Sequence, residues 1–408
     1  MRQRLLALTA ALAAGALTLT ACGSRDEGNN GDGGSATTVT IGLDAPLTGD
    51  LAALGLGMKN SVDLAVKTAN KEKYVEGVTF KIEASDDQAQ PASGQQNATA
   101  FVGKEDVLGV VGPLNSSVGE AMQKVFNDAN MALISPANTN PALTQGLDWQ
   151  KEQKRPFASY FRTATTDAIQ GPFAAQYIYN EAKLSKAFII DDKKTYGAGL
   201  AATFKAEYEK LGGKVVGTDH VDPESKDFAA VATKVKSSGA DVVYYGGEYP
   251  AGGPLSKQIK DAGAKVAFAG GDALYSPEYV KLAGKGSAGD FATSVGAPLE
   301  ELESAKKFIS NYEAEGYKEA YEAYGGYSYD AAWAIIEAVK SVVEKNDGKL
   351  PEDARKQVVE ALQGISFDGV TGQVSFDEFG DTTNKQLTVY QVKDGAYAPV
   401  KSGTLTTG

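Results

Sequence analysis

The sequence of 408 residues predicts an α/β protein with two lobes, each a parallel sheet held between layers of helix. Two observations point there. Short β-branched runs alternate with longer stretches of helical spacing, the pattern of βαβ units. The alternation also runs through more strands than one sheet comfortably holds, and it restarts after Pro156. Apolar residues at 42 % and charged residues at 23 % supply enough material for sizeable cores, which excludes a disordered chain.

Taken in order, residues 39–43 (Val-Thr-Ile-Gly-Leu) predict the first strand, and Val62, Leu64, Ala65, Val66 and Ala69 predict a helix from about Leu56. A strand follows at 78–84. Pro91 opens a helix to Phe101, where its missing N–H costs nothing in a first turn. Strand 108–112, helix 118–129 and strand 131–134 complete the first series. The second series reads as strand 157–162 and helix 168–182, strand 186–190 and helix 199–211, strand 214–218 and helix 228–237, strand 241–245 and helix 255–262, with strand 266–269 last. The final third differs: helices are predicted at 299–312, 328–344 and 351–362, then two strands at 372–376 and 387–392 as a hairpin-like ending. No tandem repeat is present.

The start of the chain is an address label. Arg2 and Arg4 precede an apolar stretch over 5–19 that falls short of the roughly 20 residues needed to span a bilayer. It ends in Leu19-Thr20-Ala21-Cys22, the form of a bacterial lipobox, and Cys22 is the only cysteine in the chain. Residues 1–21 are therefore expected to be a lipoprotein signal peptide and Cys22 the lipidated residue. Residues 22–38, rich in Gly, Asn and Ser, are expected to be a flexible tether. The folded body would then be held outside the cell, on the outer face of the membrane.

Composition narrows the chemistry. One thiol allows no internal disulfide and no Cys/His metal cage. A serine relay would have to use His220, the one histidine, which reads as an exposed loop residue. No phosphate loop, dinucleotide fingerprint or nucleophile elbow occurs. The net charge of −12 argues against nucleic acid. What remains lies at strand ends, where open parallel sheets bind ligands. Pro113-Leu114-Asn115-Ser116-Ser117 precedes a helix whose free N–H groups and serine hydroxyls suit a carboxylate, although Ser116 or Ser117 also serves as an ordinary cap. Ser135-Pro136-Ala137-Asn138-Thr139-Asn140-Pro141 is a stiff turn that brings Thr139 toward the same anion. Asp272 after Gly270-Gly271, Glu248 after Gly246-Gly247, and Asp191-Asp192 offer carboxylates suited to an ammonium group, though each alone reads more readily as a solvated loop charge or a cap than as a ligand contact.

Together these pieces resemble the type I periplasmic solute-binding proteins of the branched-chain amino acid (Leu/Ile/Val-binding) class, which serve ABC importers. The resemblance also rests on Asp44-Ala45-Pro46-Leu47-Thr48-Gly49, Ser85-Asp86-Asp87, Arg162-Thr163, Asp167, Gln170-Gly171-Pro172, Asp192-Lys193, Tyr196-Gly197 and Tyr244-Tyr245-Gly246-Gly247. It implies two Rossmann-like lobes joined by three crossovers, 39–163 with 294–368 and 164–293 with 369–408, closing over a ligand. It implies no enzyme and no cofactor, and as partners an amino acid and the permease and ATPase of an importer, with the chain a monomer. Carried over residue by residue, Ser116, Thr139 and the backbone near Ala137 hold the ligand carboxylate, with Asn138 in the same turn. Asp272 takes the ammonium group, Tyr196 closes over the ligand, and Leu114 and Tyr324 line the side-chain pocket. Asn115, Leu54 and Glu248 depart from the class, and the two acids Glu248 and Asp272 leave room for a polar or cationic ligand, or for a lipid-anchored sensor that binds an amide.

Overall fold

The computed structural model describes residues 36–405. The signal peptide, Cys22 and nearly all of the tether lie outside the described residues. The tether stops short of its expected end, because Thr37 and Thr38 already pair with Val78 and Thr79.

The first sheet is wholly parallel, in the order β2-β1-β3-β4-β5. Its strands are β1 (Thr37–Ala45), β2 (Val78–Asp86), β3 (Val107–Val111), β4 (Ala132–Ser135) and β5 (Tyr160–Arg162). Every residue of β3 and β4 is buried, which explains their continuous apolar spelling. The connections are α1 (Ala52–Glu72), α2 (Pro91–Val102), α3 (Ser116–Asp128) and the single turn α4 (Ala142–Gln145). The strand that opens the second series in the sequence is thus the edge of the first sheet. Rhythm cannot detect this, since a strand before a crossing and one after it are spelled alike.

The second sheet repeats that order. Strands β6 (Lys186–Asp191), β7 (Lys214–His220), β8 (Val242–Gly246), β9 (Ala267–Gly270) and β10 (Phe291–Ser294) run parallel as β7-β6-β8-β9-β10. They are joined by α5 (Asp167–Gln176), α6 (Thr195–Lys210), α7 (Ala229–Ser238), α8 (Tyr249–Asp261) and α9 (Pro277–Ala283). β10 and α9 have no period in the sequence: four fully buried residues and seven helical ones are too short to show it. His220 closes β7 rather than lying in a loop, and its side chain remains half exposed beside Asp191 at 2.7 Å.

After β10 the chain returns to the first sheet. Residues 299–305 form two 3₁₀ turns where a continuous helix was expected, and α10 (Lys306–Glu315) starts beyond them. Helix α11 (Gly325–Lys345) packs on α1, β3 and β4, and α12 (Ala354–Gln363) follows beside it. The predicted terminal hairpin is incorrect. β11 (Ser366–Gly369) pairs with β12 (Gly372–Ser375), and β13 (Leu387–Lys393) pairs with β14 (Ala396–Gly403) at the antiparallel edge of the second sheet. Each pairing is between neighbours in the chain, so it needs only a tight turn. The chain passes between the sheets three times, after β5, after β10 and before β13. Among the described residues no helix is long and apolar enough to cross a membrane.

Candidate functional site

The strand order places both sheets' switch points face to face. In each, the central strand (β1 or β6) has the next strand in the chain on one side and the one after it on the other, and the crevice beyond their carboxyl ends is where such sheets bind ligands. A narrow recess of about 20 Å³ lies there, lined by Leu51, Leu54, Leu114, Asn115, Ser116 and Ala137 from the first lobe, by Tyr196, Glu248, Asp272 and Ala273 from the second, and by Tyr324 at the start of α11. Leu51 and Glu248 also line a larger, more polar space with Asp50, Lys194 and Lys226.

The first-lobe wall offers donors. Asn115 is the N-cap of α3 and its side chain caps nothing, so the N–H groups of Ser116 and Ser117 have no helical carbonyl to reach. Ser116 Oγ is buried with no hydrogen-bond partner, while Thr139 is buried beside the Asp167 carboxylate, which its hydroxyl helps to stabilise. Buried hydroxyls without partners are rare in folded proteins and mark places where something else completes them. The turn behind them is fixed: Asn138 Nδ2 donates to the carbonyls of Pro113 (3.2 Å) and Leu114 (2.9 Å), and its Oδ1 accepts from Tyr160 Oη at 2.9 Å. Arg162, fully buried, donates to the carbonyls of Asn138 and Asn140 and to Asp381 Oδ1 at 2.5 Å.

The second-lobe wall offers acceptors. Asp272 is buried and accepts from Tyr324 Oη (2.7 Å), Tyr196 Oη (2.9 Å) and Gln170 Nε2 (3.0 Å). Burial raises its pKa and these three donors oppose the rise. Gln170 Nε2 also reaches Asp167 Oδ1 at 3.0 Å, and burial together with the Asp272 carboxylate pushes Asp167 up to about 8. Glu248 is the N-cap of α8, where the helix dipole favours a carboxylate, and it lies 3.2 Å from Lys194 Nζ. Two close backbone approaches bring this wall together. A Cβ on Gly271 would sit 2.4 Å from Tyr196 Oη, and one on Gly197 would sit 2.4 Å from the Gly246 carbonyl oxygen.

Asn115 Nδ2 donates directly to Glu248 Oε1, so the N-caps of two equivalent helices meet across the gap. Leu114, Asn115, Ser116, Ala137, Tyr196, Glu248, Asp272 and Tyr324 thus share one recess. Asn138 and Thr139 are not among its lining residues: the Asn138 amide is spent on fastening two loops, and Thr139 is buried against Asp167. Tyr196 and Tyr324, expected as a lid and a side-chain wall, both donate to Asp272. Sequence reasoning gave Gln170 no role and omitted Leu51 and Ala273. The spacing of Asp167 and Gln170, three apart on one helix face, was the available signal for the Gln170 bridge.

Comparison with known proteins gives the same outline. Residues 38–396 match the family described as periplasmic binding protein. The chain is 31 % identical over 361 residues to a Leu/Ile/Val-binding protein of Rhizobium johnstonii, covering 88 % of this chain and 92 % of the relative. It is 33 % identical to a Leu/Ile/Val-binding protein homolog of Brucella abortus, covering 89 % and 93 %. The fold matches a branched-chain amino acid transporter substrate-binding protein of Streptococcus pneumoniae in complex with isoleucine, with a TM-score of 0.78, 24 % identity and coverage of 90 % and 99 %. It also matches a solute-binding protein of R. palustris in complex with benzoate, with a TM-score of 0.77, 19 % identity and coverage of 90 % and 96 %.

Proposed function

The chain belongs to the periplasmic binding protein family, and from that premise we propose that it captures a branched-chain or related α-amino acid by cleft closure and delivers it to the permease and ATPase of an ABC importer. It acts as a solute-binding protein. The observation that carries the amino acid is the opposed chemistry of the recess: a helix start and the partnerless Ser116 hydroxyl on one side, the Asp272 carboxylate on the other. A zwitterion bridging them contacts both lobes only when they are together, so it favours the closed state. The closing bodies are expected at 39–163 with 294–368 and 164–293 with 369–408, save that the last boundary falls beyond Asp381, since β12 pairs with β11 and Asp381 with Arg162 of the first lobe. Leu51, Leu54 and Leu114 give the apolar surface that a branched side chain needs.

The protein acts as a monomer, tethered by lipid on Cys22 to the outer face of the membrane. The Cys22→Ser variant is then released into the medium. A second reading has one observation in its favour. Glu248 and Asn115 add a polar end to the recess, which suits a polar or cationic amino acid or an amide, read by a sensor rather than an importer. Calorimetric titration of the mature protein with each proteinogenic amino acid separates the two. Saturable binding of Leu, Ile or Val near the micromolar range supports the first, and tighter binding of Gln, Lys or Arg supports the second. Failure of every amino acid to bind below about 1 mM, a binding free energy of only ~4 kcal/mol, overturns the first reading and the amino-acid form of the second.

A further inference from the structure

We infer that the chain carries a second ligand site, an aromatic and acidic cavity at the crossovers that takes an organic ammonium ion. The cavity is open to solvent on one side, holds about 320 Å³ and is walled by Tyr275, Tyr390 and Tyr397 from the second lobe, by Tyr321 and Glu322 from the segment before α11, and by Glu300 from the chain leaving β10. Tyr275 and Tyr390 stack on one another with ring centroids 4.0 Å apart, and Tyr397 lies tilted 5.5 Å from Tyr275, so the wall is a fixed aromatic cluster in which the stacked pair covers one face of each ring.

Two carboxylates border that space, Glu300 exposed to solvent and Glu322 partly buried. Glu300 Oε1 accepts from Tyr321 Oη at 2.6 Å, and Glu322 Oε2 accepts from Ser276 Oγ at 3.3 Å. Neither forms an ion pair among the described residues. Glu322 is partly buried, and burial raises its pKa. A carboxylate withdrawn from water without a cation is costly. A cation with an apolar body offsets that cost and gains from the tyrosine faces. An anion is repelled, and a neutral apolar molecule leaves the charge unmet.

The cavity and the amino-acid recess share two stretches of chain. Ala273 lines the recess and Tyr275 the cavity, while Ala323 lines the cavity and Tyr324, the next residue, donates to Asp272 in the recess. A cation seated against Tyr275 and Glu322 therefore holds in place the segments that build the Asp272 site. It raises amino-acid affinity, and by linkage the amino acid raises its own. This coupling rests on the function proposed above, whereas the site itself does not.

The test is a calorimetric titration of the mature protein with benzyltrimethylammonium, and with benzyl alcohol as the uncharged control. Saturable one-to-one binding of the cation, weakened about tenfold or more in Glu300→Gln/Glu322→Gln and absent for benzyl alcohol, supports the site. Circular dichroism of the double variant checks that it is folded. No saturable binding, equal binding of benzyl alcohol, or an affinity unmoved by the two substitutions overturns it. A saturating cation should tighten the amino acid by severalfold. An unchanged amino-acid affinity overturns the coupling alone, and absence of any amino-acid binder bears on the earlier proposal and not on this site.

Discussion

The two lobes carry the same strand order and opposite chemistry. Ser116 follows β3 and Glu248 follows β8, which hold equivalent places in the two sheets; Ala137 follows β4 and Asp272 follows β9, again equivalent. At these matched positions the first lobe presents hydroxyl and amide donors and the second presents carboxylates. The walls differ also in satisfaction. Ser116 Oγ has no partner, while Asp272 already has three donors. The first wall is incomplete until something binds. The second is assembled in advance and must be held rigid to keep a buried charge. One topology thus supplies two poles, and the polarity comes from a handful of residues after strand ends rather than from the fold.

The largest expected effect tests what fixes the donor wall. Arg162→Met leaves Asp381 buried without its cation and frees the Asn138–Asn140 carbonyls, so stability should fall by about 3–5 kcal/mol. Urea denaturation measures it, and a loss below about 1 kcal/mol would show that the turn holds itself without Arg162.

Next is the acceptor wall. Asp272→Asn keeps the shape and removes the charge, which should weaken amino-acid binding by roughly 30-fold or more, the ~2–3 kcal/mol of a hydrogen bond to a charged group. An Asn variant that binds as tightly as the parent places the ammonium group elsewhere. Ser116→Ala should cost binding about tenfold, ~1.4 kcal/mol, while leaving the melting temperature of the protein without amino acid unchanged, because the hydroxyl has no partner to lose. A fall in stability equal to the fall in binding would make Ser116 a structural residue and remove the asymmetry between the walls.

The smallest effect is on pH. Burial and the Asp272 carboxylate push Asp167 up to about 8, burial and Glu248 push Asp192 up to about 7, and burial lifts Asp87 to about 6. Each binds its proton more tightly folded than unfolded. The stability each contributes is complete below the unfolded value near 4 and is lost as pH rises through 6 to 8. Asp381 works the other way: Arg162 outweighs its burial and holds it low, so its contribution is lost on acidification below about 4. The melting temperature should therefore be higher at about pH 5.5 than at pH 8. A flat profile over that span would mean that these acids ionise in the folded state as freely as in the unfolded one.

Much of this was legible in the residues, for identifiable reasons. Strands β3, β4, β8 and β9 are short apolar runs closed by Gly, Pro or an acid, so their ends, and with them Ser116, Ala137, Glu248 and Asp272, could be placed without coordinates. The strand before a crossing, the four-residue β10 and the true partners of β12 and β13 could not, because pairing depends on what lies alongside in space rather than on local spelling. Asn138 shows the same limit within the site. Its motif marks it as a ligand contact, yet its amide is committed to Pro113, Leu114 and Tyr160.

The amino acids by themselves determined the α/β class, the two series of strands and the types of charge available at each strand end, since periodicity and turn residues are local properties. Only the tertiary structure decided that Asn115 meets Glu248, that Tyr196, Tyr324 and Gln170 converge on one carboxylate, and that the walls of an aromatic cavity lie next in the chain to those of the recess. The hydrogen bonds among those relations join residues from 52 to 133 positions apart. Contacts at that range are set by how the two sheets fold back on one another, which no local pattern encodes.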